Sequence, residues 1–243
     1  MREANMKRAL PFLIIGLVLV IAVVAALYLK RSTDAPVAAP VTSLTSPTAP
    51  AASTSTTPGN ENAATELGST PAHAQGPADA PVTLEEFGDY ECPPCGLLHP
   101  VLQTMEKEFG SHIRIIFREF PLVPTHVHAL AAARSAEAAG LQGKFWEMHD
   151  LLYENQKTWH EAFDARPIFE GYATKIGLNM DQFRRDSGGE IVAQRIFLDG
   201  KRGHALGVNG TPTVFMNGRE VPFETVMAAD KLRVLIQAQL NAK

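Results

Sequence analysis

The sequence predicts an α/β domain in which a strand–helix–strand unit and a terminal hairpin with its helix enclose a block of helices, carried behind a membrane helix and a linker. Three observations predict it. Residues 9–29 form a run of 21 residues without a charge. Residues 32–79 are dominated by Ala, Pro, Ser and Thr, with almost no large apolar side chains. Residues 80–243 switch between compact apolar runs and apolar residues at helical spacing, long enough together for one domain with its own core.

At 1.5 Å per residue the first run is about 30 Å long, the thickness of a bilayer's hydrocarbon core. A cleaved signal peptide is the alternative, with the small residues 24–26 as a cleavage site, but its apolar core would span only about 7–15 residues. Residues 1–31 are therefore read as an uncleaved anchor. Arg2, Lys7 and Arg8 precede the span and Lys30 and Arg31 follow it, which leans to a cytoplasmic N-terminus. The domain would then face the extracytoplasmic side of a bacterial cell membrane, where disulfides persist. Residues 32–79 cannot bury enough surface to offset ordering entropy and are expected to be a disordered spacer.

Within the domain, residues 81–89 contain a strand with Val82, Leu84 and Phe87 as apolar members. Residues 96–109 place Leu97, Leu98, Val101, Leu102 and Met105 at helical spacing, and Gly110 ends the helix. The run Ile-Arg-Ile-Ile-Phe at 113–117 is a second strand, which completes a βαβ unit. The insertion, about residues 123–207, reads as helices: 126–156 broken at Gly140 and Gly143, then 163–176 and 180–186 separated by Gly177, then 190–206 interrupted near Gly200 or Gly203. Residues 213–216 and 219–221 form a hairpin across Asn217-Gly218, a strong turn signal, and 231–240 close the chain as an amphipathic helix.

Composition excludes some functions. The net charge is −4, so no basic surface points to nucleic acid, and 7% aromatic residues are too few for an extended stacking platform. The two cysteines are more informative. Cys92 and Cys95 are the only ones, and a bridge closing so small a loop adds almost nothing as a staple. A redox role is the economical reading of a lone C-x-x-C.

The motif Glu91-Cys92-Pro93-Pro94-Cys95 lies where a strand hands over to a helix. Cys92 would occupy the N-cap region, and Pro93 and Pro94 suit a first turn, where a missing N–H costs little. Free N–H groups at a helix start favour the Cys92 thiolate, which makes it both nucleophile and leaving group. Cys95, one turn on, is placed to resolve a mixed disulfide at Cys92. Cys92, Cys95 and His99 also make three potential metal ligands on one helix face, but no fourth is apparent, so the expectation is no metal and no cofactor. Glu86 is a candidate buried acid able to take the Cys95 proton, although strand alternation alone does not separate it from Glu85. Glu85 and Glu91 are expected to be solvated, as is the alternating charge at 181–186. His126 and His128 read as helix-start polar residues without a charged partner, and Trp146 and Trp159 as packing residues.

The segment FGDYECPPCGLLHP, with GVNGTPTVFMNG about 115 residues later, resembles the DsbA-like branch of the thioredoxin superfamily, in particular the membrane-anchored or secreted bacterial disulfide oxidoreductases. The resemblance covers residues 80–243. It implies a thioredoxin-like fold with an inserted helical subdomain, an exposed nucleophile at Cys92, a resolving thiol at Cys95, and a cis-proline at Pro212 facing the pair. Thr211 before it would hydrogen-bond an extended substrate peptide, flanked by Pro93 and Pro94. Glu86 matches the family's buried acid. Without the resemblance, Gly210-Thr211-Pro212 is a turn before a strand. Pro93-Pro94 departs from the oxidase pattern that carries a histidine between the cysteines, which weakens the case for a strongly oxidising potential.

The implied activity is thiol–disulfide exchange with cysteine-containing extracytoplasmic proteins, in support of oxidative folding, with a redox partner that resets the pair. The alternatives are a disulfide reductase or isomerase, or a peptide- or metal-binding module without turnover. No dimerisation segment is evident, so a monomer is expected.

Overall fold

The computed structural model describes residues 68–242. The expected anchor and residues 32–67 of the expected linker lie outside the described residues. Among the described residues, no helix is long and apolar enough to cross a membrane.

Five strands form one sheet: β1 (His73–Gln75), β2 (Val82–Gly88), β3 (Ile113–Glu119), β4 (Thr213–Met216) and β5 (Arg219–Val221), in the order β1-β3-β2-β4-β5. β2 pairs parallel with β3, Leu84 opposite Ile115, and antiparallel with β4, Glu86 opposite Val214. The parallel pair is joined through α1 (Pro93–Phe109) and a 3-10 turn at Gly110–His112, as the βαβ reading requires. Between β3 and β4 lie α2 (Ala129–Gly140), α3 (Phe145–Glu154), α4 (Gln156–His160), α5 (Arg166–Lys175), α6 (Met180–Ser187) and α7 (Glu190–Ala205). After the hairpin come α8 (Phe223–Val226) and α9 (Ala229–Asn241).

β2 is central, so both its faces are covered and it reads as nearly continuous burial. Its period of two then sorts the residues. Val82 and Leu84 pack with Leu98, Leu102 and Met105 of α1 and with Leu232 and Ile236 of α9. Phe87, one register position out of phase, packs on the other face with Phe120, Val208 and Phe215. A further core fills the insertion, where alanines 132, 133, 136 and 139 of α2 let helices approach closely around the fully buried Trp159. The hairpin turn takes the form the sequence demands: Asn217 and Gly218 both have positive φ, 48° and 80°. Asn217 also binds back, its Oδ1 accepting from the Thr83 amide at 2.7 Å.

Two expectations are corrected. The domain does not begin at Ala80. Ser69 is 1% exposed, its amide donates to Asp199 Oδ1 at 2.7 Å, and its carbonyl accepts from Arg118 Nη1 at 2.9 Å. β1 then pairs antiparallel with β3, and His73 stacks on Phe145 with ring centroids 3.5 Å apart. Residues 68–79 are fixed by polar partners supplied from far along the chain, so a criterion built on apolar content overlooks them. The second correction is α7, which runs unbroken through Gly200 and Gly203. A Cβ at Gly203 would stand 2.7 Å from the Phe120 ring and 3.0 Å from Phe87, so this glycine allows close contact with the sheet instead of ending the helix.

Candidate active site

The redox turn is assembled from the chain segment leaving β2. Asp89 is buried, and its Oδ1 accepts the Glu91 amide at 2.7 Å, an Asx turn that lifts the chain off the strand. The Cys92 amide donates to Asp89 O at 3.1 Å, and α1 starts at Pro93 with Cys92 as its extended N-cap. Gln156 of α4 closes the turn from outside: its Nε2 donates to Tyr90 O at 2.6 Å and to Cys92 O at 2.9 Å. Gly96 makes room for it, since a Cβ there would lie 2.6 Å from Gln156 Oε1. The sequence does not single out Gln156, because nothing local links a residue 64 positions away to this turn.

Cys92 Sγ lies 3.2 Å from Thr211 O, and the Thr211–Pro212 bond is cis. The four residues Cys92, Cys95, Thr211 and Pro212 are thus drawn to one end of the sheet from opposite ends of the domain. Pro93 is exposed and Pro94 half-buried at its rim. The implied exposure of Cys92 is corrected: it is 4% exposed, because Thr211 and the turn pack over its sulfur, while Cys95 is wholly buried.

The two free thiols have different environments. Hydrogen bonding from the Cys95 thiol, then from the Thr211 side chain and the Cys95 amide, outweighs burial and the Asp89 charge and lowers Cys92 to about 6. Burial, reinforced by Cys92 and Glu86, pushes Cys95 well up. The first proton to leave the pair therefore leaves Cys92.

Strand register puts the two buried glutamates on opposite faces of β2. Glu86 shares the face of Leu84 and α1, is 3% exposed, and has no hydrogen-bond partner for Oε1 among the described residues. Burial first, and the Cys92 charge second, raise its carboxyl to about 8. Glu85 points to the opposite face and is not solvated as expected. It accepts from Arg118 Nε at 2.8 Å and from Arg202 Nε and Nη2 at 2.8 and 2.7 Å. Burial pushes Glu85 up, but the two guanidiniums together outweigh it and hold it below its ordinary value. Glu91 is also buried. Its Oε2 accepts the His128 amide at 2.6 Å, and its Oε1 lies 3.3 Å from His160. His126, expected to lack a charged partner, sits with Nδ1 2.8 Å from Asp89 Oδ2. These corrections share a cause: each pairing joins groups more than thirty residues apart in sequence.

The three-ligand arrangement of Cys92, Cys95 and His99 does not form. His99 is buried against the Tyr153 ring and faces Asp150 of α3, with Nε2 3.5 Å from Oδ1. Among the described residues, the grouping able to hold an ion is His99 with His149 and Asp150. Alongside α1 runs a groove of about 580 Å³ lined by Glu91, Pro93, Leu97, Gln156 and His160 among others.

A family model described as thioredoxin matches residues 69–238. Among curated proteins, the chain is similar to a Na(+)/H(+) antiporter NhaA 1 of Salinispora arenicola, 43% identical over 148 residues, 60% of this chain and 22% of that one. The chain thus spans about a fifth of the length of such relatives. Among solved structures, oxidised BdbD from Bacillus subtilis superposes with a TM-score of 0.62 at 21% identity, over 70% of this chain and 93% of that one. A thioredoxin-like oxidoreductase from Silicibacter pomeroyi DSS-3 superposes with a TM-score of 0.55 at 27% identity, over 68% and 94%.

Proposed function

The chain belongs to the thioredoxin family, in its DsbA-like branch of thiol–disulfide oxidoreductases, and on that premise we propose that it exchanges disulfides with extracytoplasmic proteins through Cys92 and Cys95 in support of oxidative folding. The observation that carries this reading is the placement of the acidic Cys92 thiol at a helix start, 3.2 Å from the carbonyl that precedes the cis-proline.

In the oxidising direction, a substrate thiolate attacks Sγ of Cys92 in the Cys92–Cys95 disulfide. The S–S bond breaks, its electron pair goes to Cys95, and Glu86, protonated near neutral pH, gives that sulfur a proton. A second substrate thiolate attacks the substrate sulfur of the mixed disulfide, and Cys92 leaves as a thiolate. The lowered pKa of Cys92 makes it the better leaving group, and the raised pKa of Cys95 makes protonation there complete. The substrate becomes oxidised and the pair reduced, so a redox partner must take two electrons to reset it. Thr211 and Pro212 bind the substrate backbone as an added strand, with Pro93 and Pro94 against its side chains. Anchoring through residues 9–29, with residues 32–67 as the linker, would hold a monomeric domain outside the cytoplasm. The occurrence of similar sequence inside chains named as antiporters supports a membrane setting.

Cys92→Ser is expected to abolish both insulin reduction and refolding of a reduced substrate, and Cys95→Ala to accumulate mixed disulfides. Unchanged activity in Cys92→Ser would remove the proposal. Direction is read from the reduction potential: a value near about −120 mV supports an oxidase, and one near about −270 mV supports the reductase alternative.

A further inference from the structure

Behind the redox pair, on the α1 face of β2, lies a small cavity of about 40 Å³ that disulfide exchange does not account for. Its walls include Glu86, His99, Gln103, Trp146, His149 and Asp150. One ligand atom from each of His99, His149 and Asp150 lies within 4.8 Å of the other two. His149 is 4% exposed, and its Nδ1 is engaged by the Tyr90 hydroxyl at 3.1 Å, which leaves Nε2 as the available ligand atom. His99 is 7% exposed, and its Nε2 has no hydrogen-bond partner among the described residues. Asp150 is about half-buried and gives the cavity a route to solvent.

We propose that His99, His149 and Asp150 form a site for one zinc-type divalent cation that ties the redox helix α1 to α3 of the insertion. Two nitrogens and a carboxylate suit zinc and its neighbours and do not suit calcium or magnesium, which take oxygen ligands. With bonds of about 2.0–2.1 Å, ligand atoms around a tetrahedral ion stand roughly 3.4 Å apart. The His99–Asp150 pair is already at 3.5 Å, and the three ligand atoms all lie within 4.8 Å of one another. A second, independent observation points into the same cavity. Glu86 Oε1 is buried, lines this space and lacks a partner among the described residues, so its uncharged carboxyl can accept a hydrogen bond from a metal-bound water. The cavity has room for an ion and a water. The engagement of His149 Nδ1 by Tyr90 is the outer hydrogen bond that orients a metal-binding imidazole. Burial also holds His99 down, to about 4, and lowers His149, so both rings are uncharged at neutral pH.

The test uses the full chain in detergent with Cys92 and Cys95 oxidised, so that no thiolate can bind metal. After chelator treatment it is titrated with ZnCl2 by calorimetry and with CoCl2 by visible absorption. One equivalent is expected to bind, with cobalt d–d bands and no sulfur charge-transfer band, and Zn2+ raises Tm. Asp150→Asn and His99→Gln are each expected to weaken binding at least tenfold while circular dichroism stays that of the folded protein. Asp150→Asn is the deciding variant should His99→Gln fail to fold. Absence of saturable binding to the oxidised chain, or binding that Asp150→Asn leaves unaltered, overturns the proposal. Neither result bears on disulfide exchange, because the oxidised protein is measured without turnover.

Discussion

At the scale of single residues, the chemistry rests on unequal environments for like groups. Two thiols one helical turn apart and two adjacent glutamates are each driven apart in acidity by what surrounds them. Glu86 makes this testable. Its folded value of about 8 lies above the unfolded value of about 4.5, so the folded chain retains a proton that the unfolded chain releases. Its contribution to stability is full below about pH 4.5 and is lost as the pH rises toward 8, a change on the order of a few kcal/mol. Glu86→Gln removes that loss. The Tm difference between Glu86→Gln and the parent, measured on reduced protein by calorimetry, should grow from about pH 5 to 8 and then level off. The same variant should slow the step in which Cys95 gains or loses its proton by about 10²-fold near neutral pH, in stopped-flow resolution of a mixed disulfide. A flat Tm difference would show that Glu86 does not titrate in this range. Gln156→Ala, which removes two hydrogen bonds to the redox turn, should cost about 1–2 kcal/mol and lower Tm by several degrees. It should also move Cys92 acidity, followed by the ultraviolet absorbance of the thiolate, toward that of an ordinary thiol.

At the scale of elements, what the sequence conveys follows from how local each signal is. α1 is legible because its apolar spacing, its proline pair and its stop at Gly110 all lie within the element. The hairpin is legible because Asn217-Gly218 suits a turn with positive φ at both residues. The continuity of α7 is not, because a glycine in a helix has two meanings that sequence does not distinguish: a break, or a place where another surface comes close. Phe120 and Phe87 decide for the second at Gly203. Gly203→Ala should therefore destabilise the domain by about 1–3 kcal/mol through overpacking, despite the better helix propensity of alanine. Gly200→Ala, with nothing near its Cβ, should be neutral or stabilising. Denaturant unfolding of the two variants compares them directly, and equal midpoints would remove the packing explanation.

At the scale of the whole molecule, the insertion completes the site as well as covering it. Gln156, His128 and His160 hold the redox turn, and Arg202 with Asp199 secures both Glu85 and the segment before β1. A chain begun at Ala80 would lose the Ser69 contacts and β1, leaving Arg118 and Asp199 short of partners in the interior. It should be less stable than a chain begun at Gly68 by about 3 kcal/mol or more, seen as a Tm at least ~6 °C lower. Equal stability would mean that residues 68–79 are dispensable. The sequence by itself determined the redox pair, the βαβ unit and hairpin around it, and the helical character of the insertion, because those signals lie within a few residues of one another. Only the tertiary structure decided which glutamate is buried without an arginine partner, which histidines have carboxylate partners, where the domain begins, and that His99 faces His149 and Asp150. Those outcomes depend on the pairing and burial of groups tens to more than a hundred residues apart, and no local pattern of residue types encodes that distance.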